Sequence, residues 1–170
     1  GYNVRGGESD QNLIQVDGIP VFNPSHLAGL FSTFDADAID HADFLTGGFP
    51  AGYSGRLSSI LDIRLRPGAR RLRAGSHVSL LSSKLLAEGP LPFGSSFLLS
   101  GRRTYMDKVV EAFTQETLPY YFTDLLGKIN LPAGDGTVAV TGYWGKDALN
   151  LNLVPGDTIR DPVDLSWRWG

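Results

Sequence analysis

The sequence predicts a fold built mainly from β-strands, in two regions that meet at Pro67. Up to that residue the chain has short strands, brief helical turns and many tight turns, which predicts a small mixed α+β region. After it come segments of about ten residues separated by clusters of Gly, Pro and Asp, as expected of antiparallel strands. Apolar and polar side chains alternate along these later segments, so each predicted strand has two chemically different faces.

Length and charge exclude several classes of protein. The chain has 170 residues, which is enough for one ordinary domain. A formal net charge of -3 gives no concentrated basic field of the kind that nucleic-acid binding needs. The chain has no cysteine, so it contains neither a disulfide framework nor a thiolate metal site.

A membrane contact would have to be made by strands. The sequence has no run of about 18 apolar residues, which excludes a transmembrane helix, and only helices and closed barrels satisfy every backbone group in lipid. The chain begins at Gly1, without an initiator Met and inside what reads as a motif. We therefore interpret it as a fragment of a longer protein.

The first elements are short. Residues 13–16 predict a strand that ends at a tight turn, because Asp-Gly is a dipeptide that favours such turns. A second short strand is expected over residues 19–22, an exposed loop over residues 23–29 and a short helical turn over residues 30–34. Asp35 or Asp37 is the expected N-cap of a brief helix that ends at Ile39.

Residues 45–56 form the predicted organising loop of the first region. Four glycines and a proline fall within nine residues of this stretch, and glycine enters positive φ freely while proline fixes its own φ. After the loop, apolar and charged residues alternate with a period near two, which predicts a strand with one covered face. The apolar set is Ile60, Leu61, Ile63 and Leu65, and the charged set is Asp62, Arg64 and Arg66.

Five segments after Pro67 have strand-like patterns: residues 76–87, 95–106, 120–131, 137–146 and 163–169. Four or five strands are expected from them, and their lengths suit tilted membrane strands of about 9–11 residues. In the second segment Phe97, Leu99, Gly101 and Tyr105 oppose Ser96, Ser100, Arg102 and Thr104. The third segment has an apolar side with Tyr121, Leu125, Ile129 and Leu131 and a polar side with Asp124, Lys128 and Asn130. The fourth segment has one side with Val138, Val140 and Trp144 and another with Thr137, Thr141 and Tyr143. Alternation alone fits either a barrel wall or an antiparallel sandwich with one wet face.

Enzymatic chemistry has little support in the sequence. Asp17, Ser25 and His26 could be arranged as a hydrolytic triad, but no nucleophile-elbow glycine pattern surrounds the serine. The three histidines, His26, His41 and His77, lack the short spacing of a metal site. The glycine pairs lack the strand, helix and lysine context of a phosphate-binding loop. We therefore predict no catalytic residue, no metal and no cofactor.

Motifs in the first region occur in a fixed order. Arg5 and Gly6 form an arginine-glycine motif, residues 17–20 an aspartate-glycine-x-proline turn, and an acidic strand leads to the glycine pair that starts at Gly47. This series resembles the end of the plug domain of TonB-dependent outer-membrane receptors, and residues 22–34 are similar to the versions found in Bacteroidetes-type members.

One strand departs from the family pattern. His41 and Asp43 stand where many members have arginine and glutamate, and Gly48 stands where they have proline. The plug-to-barrel ion pairs that relatives make from those positions are therefore not carried over to this chain.

The resemblance implies a mixed α+β plug fragment followed by antiparallel transmembrane β-barrel strands of an incomplete barrel. Residues 1–67 correspond to the C-terminal part of the plug, and residues 68–170 to the first four or five strands of the barrel. The complete protein would bind and import a scarce ligand, such as an iron chelate, a vitamin, a glycan or a peptide, across the outer membrane of a Gram-negative cell. Implied partners are the TonB energy-coupling complex, reached through an N-terminal segment outside this chain, outer-membrane lipid and a surface lipoprotein. A soluble β-rich binding module is the alternative, and a hydrolase is a third.

Candidate site residues follow from the same resemblance. Phe22, Asn23, Ser25 and His26 lie in a plug loop that is at the extracellular apex in the resembled family, and they offer stacking and hydrogen bonds to a polar ligand. A turn that satisfies its own backbone groups is the alternative for this loop. Arg5 and Arg102 are the expected plug-to-barrel contacts, because a buried guanidinium requires a carboxylate partner. For Arg5 an exposed loop position remains the alternative.

Overall fold

A computed structural model describes residues 12–21, 24–26, 31–49, 58–105, 120–151 and 163–169. The chain divides into two compact units, Gly1–Pro67 and Gly68–Gly170. The described residues form strands and two 3-10 turns, so the α-helical part expected of a mixed α+β first region is not found among them. In that same part of the chain, no helix is long and apolar enough to cross a membrane.

The first unit has six described strands in two sheets. They are β1 (Asn12–Val16), β2 (Ile19–Pro20), β3 (Ser25–His26), β4 (Phe31–Ser32), β5 (Ile39–Leu45) and β6 (Ser59–Leu65). One sheet has the order β2-β1-β6-β5, and β3 pairs with β4 in the other. Strand β1 runs parallel to β6, while β2 and β5 are antiparallel to their neighbours. Strand β6 therefore lies inside its sheet, between β1 and β5.

The predicted turn after β1 is confirmed. Asp17 and Gly18 both have positive φ, 49° and 83°, the combination that a two-residue hairpin of matching twist requires. Asp17 also joins this turn to β6, because its Oδ1 accepts a hydrogen bond from Leu65 N at 3.1 Å and its backbone N donates to Ile63 O at 2.8 Å. The first and last strands of the unit are thereby held at one end.

Strands β3 and β4 correct two predictions. Residues 23–29 were expected to be an exposed loop, but Ser25 and His26 form β3, and the His26 side chain is fully buried. Residues 30–34 were expected to be a helical turn, but Phe31 and Ser32 form β4. Each strand has only two residues, so the pairing of the two strands with each other, and not local propensity, decides their conformation.

For two further elements of this unit, one prediction agrees with the structure and the other does not. Asp35, one of the two N-cap candidates from the sequence, is the N-cap of the 3-10 turn Ala36–Ala38, and its Oδ1 accepts a hydrogen bond from Asp37 N at 3.1 Å. The single covered face predicted for β6 is wrong, because Ile60 and Asp62 on one face and Ile63 on the other are all buried. A strand with neighbours on both sides and cover on both faces loses the simple alternation of a half-exposed strand.

The second unit contains one six-stranded antiparallel sheet. Its strands are β7 (Arg73–Val78), β8 (Ser82–Pro90), β9 (Ser96–Thr104), β10 (Tyr120–Ala133), β11 (Gly136–Leu151) and β12 (Val163–Trp169). They pair in chain order, which makes the sheet a meander. The sheet is open, with β7 and β12 at its edges, so it does not close into the predicted barrel within the described residues.

The predicted strand over residues 76–87 is wrong. A turn at residues 79–81 divides it between β7 and β8, and Ser79 Oγ accepts a hydrogen bond from Ser82 N at 3.1 Å inside that turn. The sheet therefore has six strands instead of four or five. Serine is a common turn residue because its hydroxyl satisfies backbone groups locally.

Connections of different length lie at the two ends of the sheet. Strands β8 and β9 are joined by residues 91–95, and β10 and β11 by residues 134–135. At the other end, which we call the long-connection end, residues 105–119 join β9 to β10 and residues 152–162 join β11 to β12. The turn at residues 79–81, which joins β7 to β8, also lies at this end. The sheet therefore has one end with short turns alone and one end that holds both long connections.

Candidate functional site

The two faces of the six-stranded sheet have opposite polarity. One face, here called the polar face, carries Lys84, Glu88, Ser100, Arg102, Thr104, Asp124, Lys128 and Asp147. The other, the apolar face, carries Leu85, Leu99, Leu125, Ile129, Leu131, Val138 and Val140. The alternation read from residues 95–106, 120–131 and 137–146 agrees with this division.

Exposure follows the opposite order from that of a soluble sheet. Six of the polar-face residues, Glu88, Ser100, Thr104, Asp124, Lys128 and Asp147, are only 2–8% exposed. The apolar-face residues named above are 41–66% exposed. In an antiparallel sheet of a soluble protein the covered face is the apolar one. Here the covered face carries these polar and charged residues together with Leu98, Phe122 and Leu126, whereas the residues of the apolar face are outside.

An ion pair joins β9 and β10 on the polar face. Arg102 in β9 and Asp124 in β10 are directly opposite in register. Arg102 Nε donates a hydrogen bond to Asp124 Oδ2 at 2.9 Å, and Nη2 donates to the same oxygen. The guanidinium carbon also lies 4.9 Å from the centroid of the Phe122 ring. Arg102 thus lies on the polar face, as its position in the alternation predicts, and its contact with the plug stays a prediction.

Hydrogen bonds toward the long-connection end connect β9, β10 and β11. Phe122 N donates to Thr104 Oγ1 at 2.9 Å, and Tyr120 Oη donates to Asp147 Oδ1 at 2.8 Å. The six ionisable groups of the polar face, Lys84, Glu88, Arg102, Asp124, Lys128 and Asp147, comprise three bases and three acids. A balanced set of this kind can be covered without leaving excess charge in a poorly solvated place.

The predicted ligand loop is only partly described. Arg5, Phe22 and Asn23 lie outside the described residues. Ser25 is half-buried in β3 and opposite Ser32, while His26 is buried opposite Phe31. Ligand contact by these four loop residues stays a prediction. The side chains of His26 and Ser25 differ in exposure, because His26 is buried and Ser25 is only half-buried.

The structure also bears on the two other kinds of site weighed from the sequence, a hydrolytic triad and a metal site. The Asp17 carboxylate accepts a hydrogen bond from the β6 backbone. Among the described residues, no group of three His, Cys, Asp or Glu side chains could hold a metal ion.

A second set of charged side chains, on the apolar face, was not predicted from the sequence. Arg103 and Lys146 lie on the apolar face and approach the same aromatic ring, that of Tyr121. The guanidinium carbon of Arg103 is 5.0 Å from the ring centroid, and the ammonium nitrogen of Lys146 is 5.9 Å from it. Only the register of β9, β10 and β11 brings these residues together, so the signal was in the pairing of strands and not in any local motif.

Comparison with protein families identifies the first region. The family model described as "TonB-dependent Receptor Plug Domain" matches residues 1–58. The chain contains a plug domain. No curated protein and no solved structure matches the chain.

The plug match ends one residue before β6 begins. Strand β6 pairs in parallel with all five residues of β1 and holds the Asp17 turn, so it belongs to the same sheet as the matched strands. The folded unit that contains the plug domain therefore extends to Pro67.

Proposed function

We propose that this chain is part of a TonB-dependent outer-membrane receptor of the Bacteroidetes type. In this proposal residues 1–67 are the C-terminal part of the plug, and residues 68–170 are the first six strands of the barrel wall. The receptor binds a scarce ligand, such as an iron chelate, a vitamin, a glycan or a peptide, and imports it across the outer membrane. It is a transporter and not an enzyme.

The observation that carries the proposal is the exposed apolar face of the sheet, opposite a covered face with charged residues, in a chain that also contains a plug domain. An exposed face of leucine, isoleucine and valine costs free energy in water, roughly 25 cal/mol for each Å² of apolar surface, and costs nothing comparable in lipid. A covered polar face is the arrangement of a barrel lumen that holds a plug. The soluble module considered from the sequence would place these two faces the other way round.

The height of the apolar face supports the same proposal. On β10 it extends from Leu131 to Tyr121, ten residues apart. With a rise of about 3.4 Å per residue and a strand tilt of about 35–45°, that distance spans about 24–28 Å along the membrane normal. The apolar band of outer-membrane barrels is about 25 Å tall.

The connections assign a direction to the sheet. Outer-membrane barrels have short periplasmic turns and longer extracellular loops. The turns at residues 91–95 and 134–135 would then be periplasmic, and the long-connection end extracellular. Residues 68–72, which follow the plug unit in sequence, lead into β7 at the same end of the sheet as the turn at residues 91–95.

Transport requires that the plug rearrange locally while the wall stays closed. Force from the TonB complex would reach the plug through a segment that precedes it in the chain. The β3–β4 pair has two residues in each strand, and β2 has two residues, so these elements have few backbone hydrogen bonds to lose. Regions with so few contacts open at low free energy.

Ligand binding is proposed for Phe22, Asn23, Ser25 and His26, with Arg5 and Arg102 at the contact between plug and barrel. Outer-membrane lipid covers the apolar face, and a surface lipoprotein is a further proposed partner. No cofactor takes part.

The test is transport by the complete receptor in a Gram-negative host. Outer-membrane fractionation and the heat-dependent shift in gel mobility that folded barrels show would report assembly, and ligand uptake would be compared between strains with and without TonB. We expect an outer-membrane protein whose uptake requires TonB. A protein that fractionates with soluble proteins in both strains would refute the proposal.

A further inference from the structure

Two basic residues on the apolar face lie in one cross-strand row. Register places Arg103 of β9 opposite Thr123 of β10, and Thr123 opposite Lys146 of β11. The row continues to position 168 of β12, which is also an arginine. We call Arg103, Thr123 and Lys146 the basic row.

The basic row is the charged part of an otherwise uncharged face. Every other charged residue of β8–β11 belongs to the polar face: Lys84, Glu88, Arg102, Asp124, Lys128 and Asp147. On the apolar face of these four strands, Arg103 and Lys146 therefore have no acidic residue beside them. Their combined charge is positive and faces outward.

The row lies near the long-connection end of the apolar face, which on β10 ends at Tyr121. The adjacent apolar-face row toward the short turns comprises Leu85, Gly101, Leu125 and Trp144, which are opposite one another in register. On the other side of the row lies Tyr121, and the cationic groups of Arg103 and Lys146 both contact its ring. A tyrosine with adjacent cations is typical of the boundary between hydrocarbon and headgroups, because each side chain has an apolar stem and a polar tip.

An apolar hollow lies beside the basic row. Its volume is about 550 Å³, and its lining includes Leu85, Ala87, Leu99, Gly101 and Leu125. Small residues form its floor, and a Cβ added at Gly101 would come within 3.2 Å of Leu125 Cδ2. A hydrocarbon chain could lie in this hollow with its polar end at Arg103, which is two residues from Gly101 on the same face of β9.

We propose that the basic row binds the negatively charged phosphate of a membrane lipid of the outer leaflet, whose acyl chain occupies the hollow. The inference rests on the proposed function, because it requires that the apolar face meets lipid. The guanidinium of Arg103 offers paired donors to phosphate oxygens, and Lys146 adds a compact positive charge. Both lie toward the long-connection end, the extracellular end in outer-membrane barrels.

The experiment compares lipid retention by variants of the complete receptor. The receptor is placed in nanodiscs of phosphatidylcholine that contain phosphatidylglycerol with the same acyl chains, and native mass spectrometry measures the ratio of the two lipids that stay bound. The test variant is Arg103→Gln with Lys146→Gln. The matched control is Arg70→Gln with Arg71→Gln, which removes the same charge at two exposed residues outside the strands.

We expect the wild type and the control to retain phosphatidylglycerol in preference. Each single substitution in the row should lower that preference about fivefold, and the double substitution about thirtyfold at low ionic strength. Equal retention by the wild type and the double variant, or no preference in the wild type, would overturn the lipid site. Outer-membrane assembly of the wild type is scored separately, so a failed lipid site is distinguishable from a failed function.

Discussion

Asp124 lies directly opposite Arg102 across β10 and β9, and its Oδ2 accepts a hydrogen bond from Arg102 Nε at 2.9 Å. The Asp124 side chain is 8% exposed and that of Arg102 is 18% exposed, so water screens the pair only weakly. Removing one partner would leave the other charged group in a place that solvates it poorly. The pair therefore stabilises the six-stranded sheet chiefly by preventing that unfavourable state.

We expect Asp124→Asn or Arg102→Gln to destabilise the complete receptor by about 1.5–3 kcal/mol, the range for a hydrogen bond to a charged group. Replacing both residues should cost less than the sum of the single changes, because neither charge is then left alone. Denaturant unfolding in detergent, followed by tryptophan fluorescence, measures this. Strict additivity of the two changes would show that they do not interact.

Asp17 gives a second test, at the turn that ties β1 to β6. Asp17→Ala removes the acceptor for Leu65 N and places alanine at a φ of 49°. We expect a loss of about 1 kcal/mol and faster hydrogen exchange at the Leu65 amide. Asp17→Asn is the control, because asparagine keeps an acceptor oxygen and tolerates positive φ. Unchanged exchange in the alanine variant would mean that the side-chain bond does not hold the turn.

The turn after β1 shows how far the sequence could predict the structure. Asp17 and Gly18 specify a hairpin by local backbone chemistry, and Asp35 specifies a cap in the same way, so both were predicted from neighbouring residues. Strands β3 and β4 were not, because two-residue strands have no periodicity to detect. Their conformation depends on a partner several residues away.

In the second unit, alternation predicted which residues of β9 to β11 share a face, since a strand has period two whatever its partners are. Register was the missing information. Arg102 and Asp124 lie 22 positions apart in sequence, and Arg103 and Lys146 lie farther apart still, so neither pairing is visible before the strands are aligned.

Gly68, the first residue of the second unit, allows a third prediction. Its φ is +93°, and a Cβ there would lie 2.5 Å from Phe97 O. Positive φ alone costs about 1–3 kcal/mol for a residue with a side chain, and the overlap with backbone adds to it. We expect Gly68→Ala to lower the yield of the complete protein in its folded form.

The control for Gly68 is Gly142→Ala. A Cβ at Gly142 would meet nothing within 4 Å, and β11 is extended there. Heat-dependent gel mobility reports the folded fraction of both variants. Equal folding of the two would show that the backbone at Gly68 adjusts freely.

The predicted ligand loop can be tested in a way that separates binding from folding. We expect Asn23→Ala to weaken ligand binding while outer-membrane assembly stays intact, since the amide is proposed to face the ligand. His26→Ala should lower the stability of the plug, because the imidazole is fully buried. Calorimetric titration of the purified receptor with its ligand measures the first effect, and proteolysis of the plug measures the second. Full affinity in the Asn23 variant would exclude that residue from the site.

The orientation of the sheet is tested most directly by placing a charge on the apolar face. Leu125 lies near the middle of the apolar stretch of β10, whereas Leu131 is at one end of that stretch, and the two are similarly exposed at 48% and 41%. If lipid covers this face, Leu125→Arg should destabilise the receptor by about 2–4 kcal/mol and Leu131→Arg by about 0–1 kcal/mol, because the cost of a cation depends on its depth in the bilayer.

In water both changes would be nearly neutral and would increase solubility. Unfolding of both variants in lipid vesicles, measured against the wild type, gives the two values. Equal small effects at the two positions would mean that the apolar face does not meet a membrane, whatever the plug domain implies.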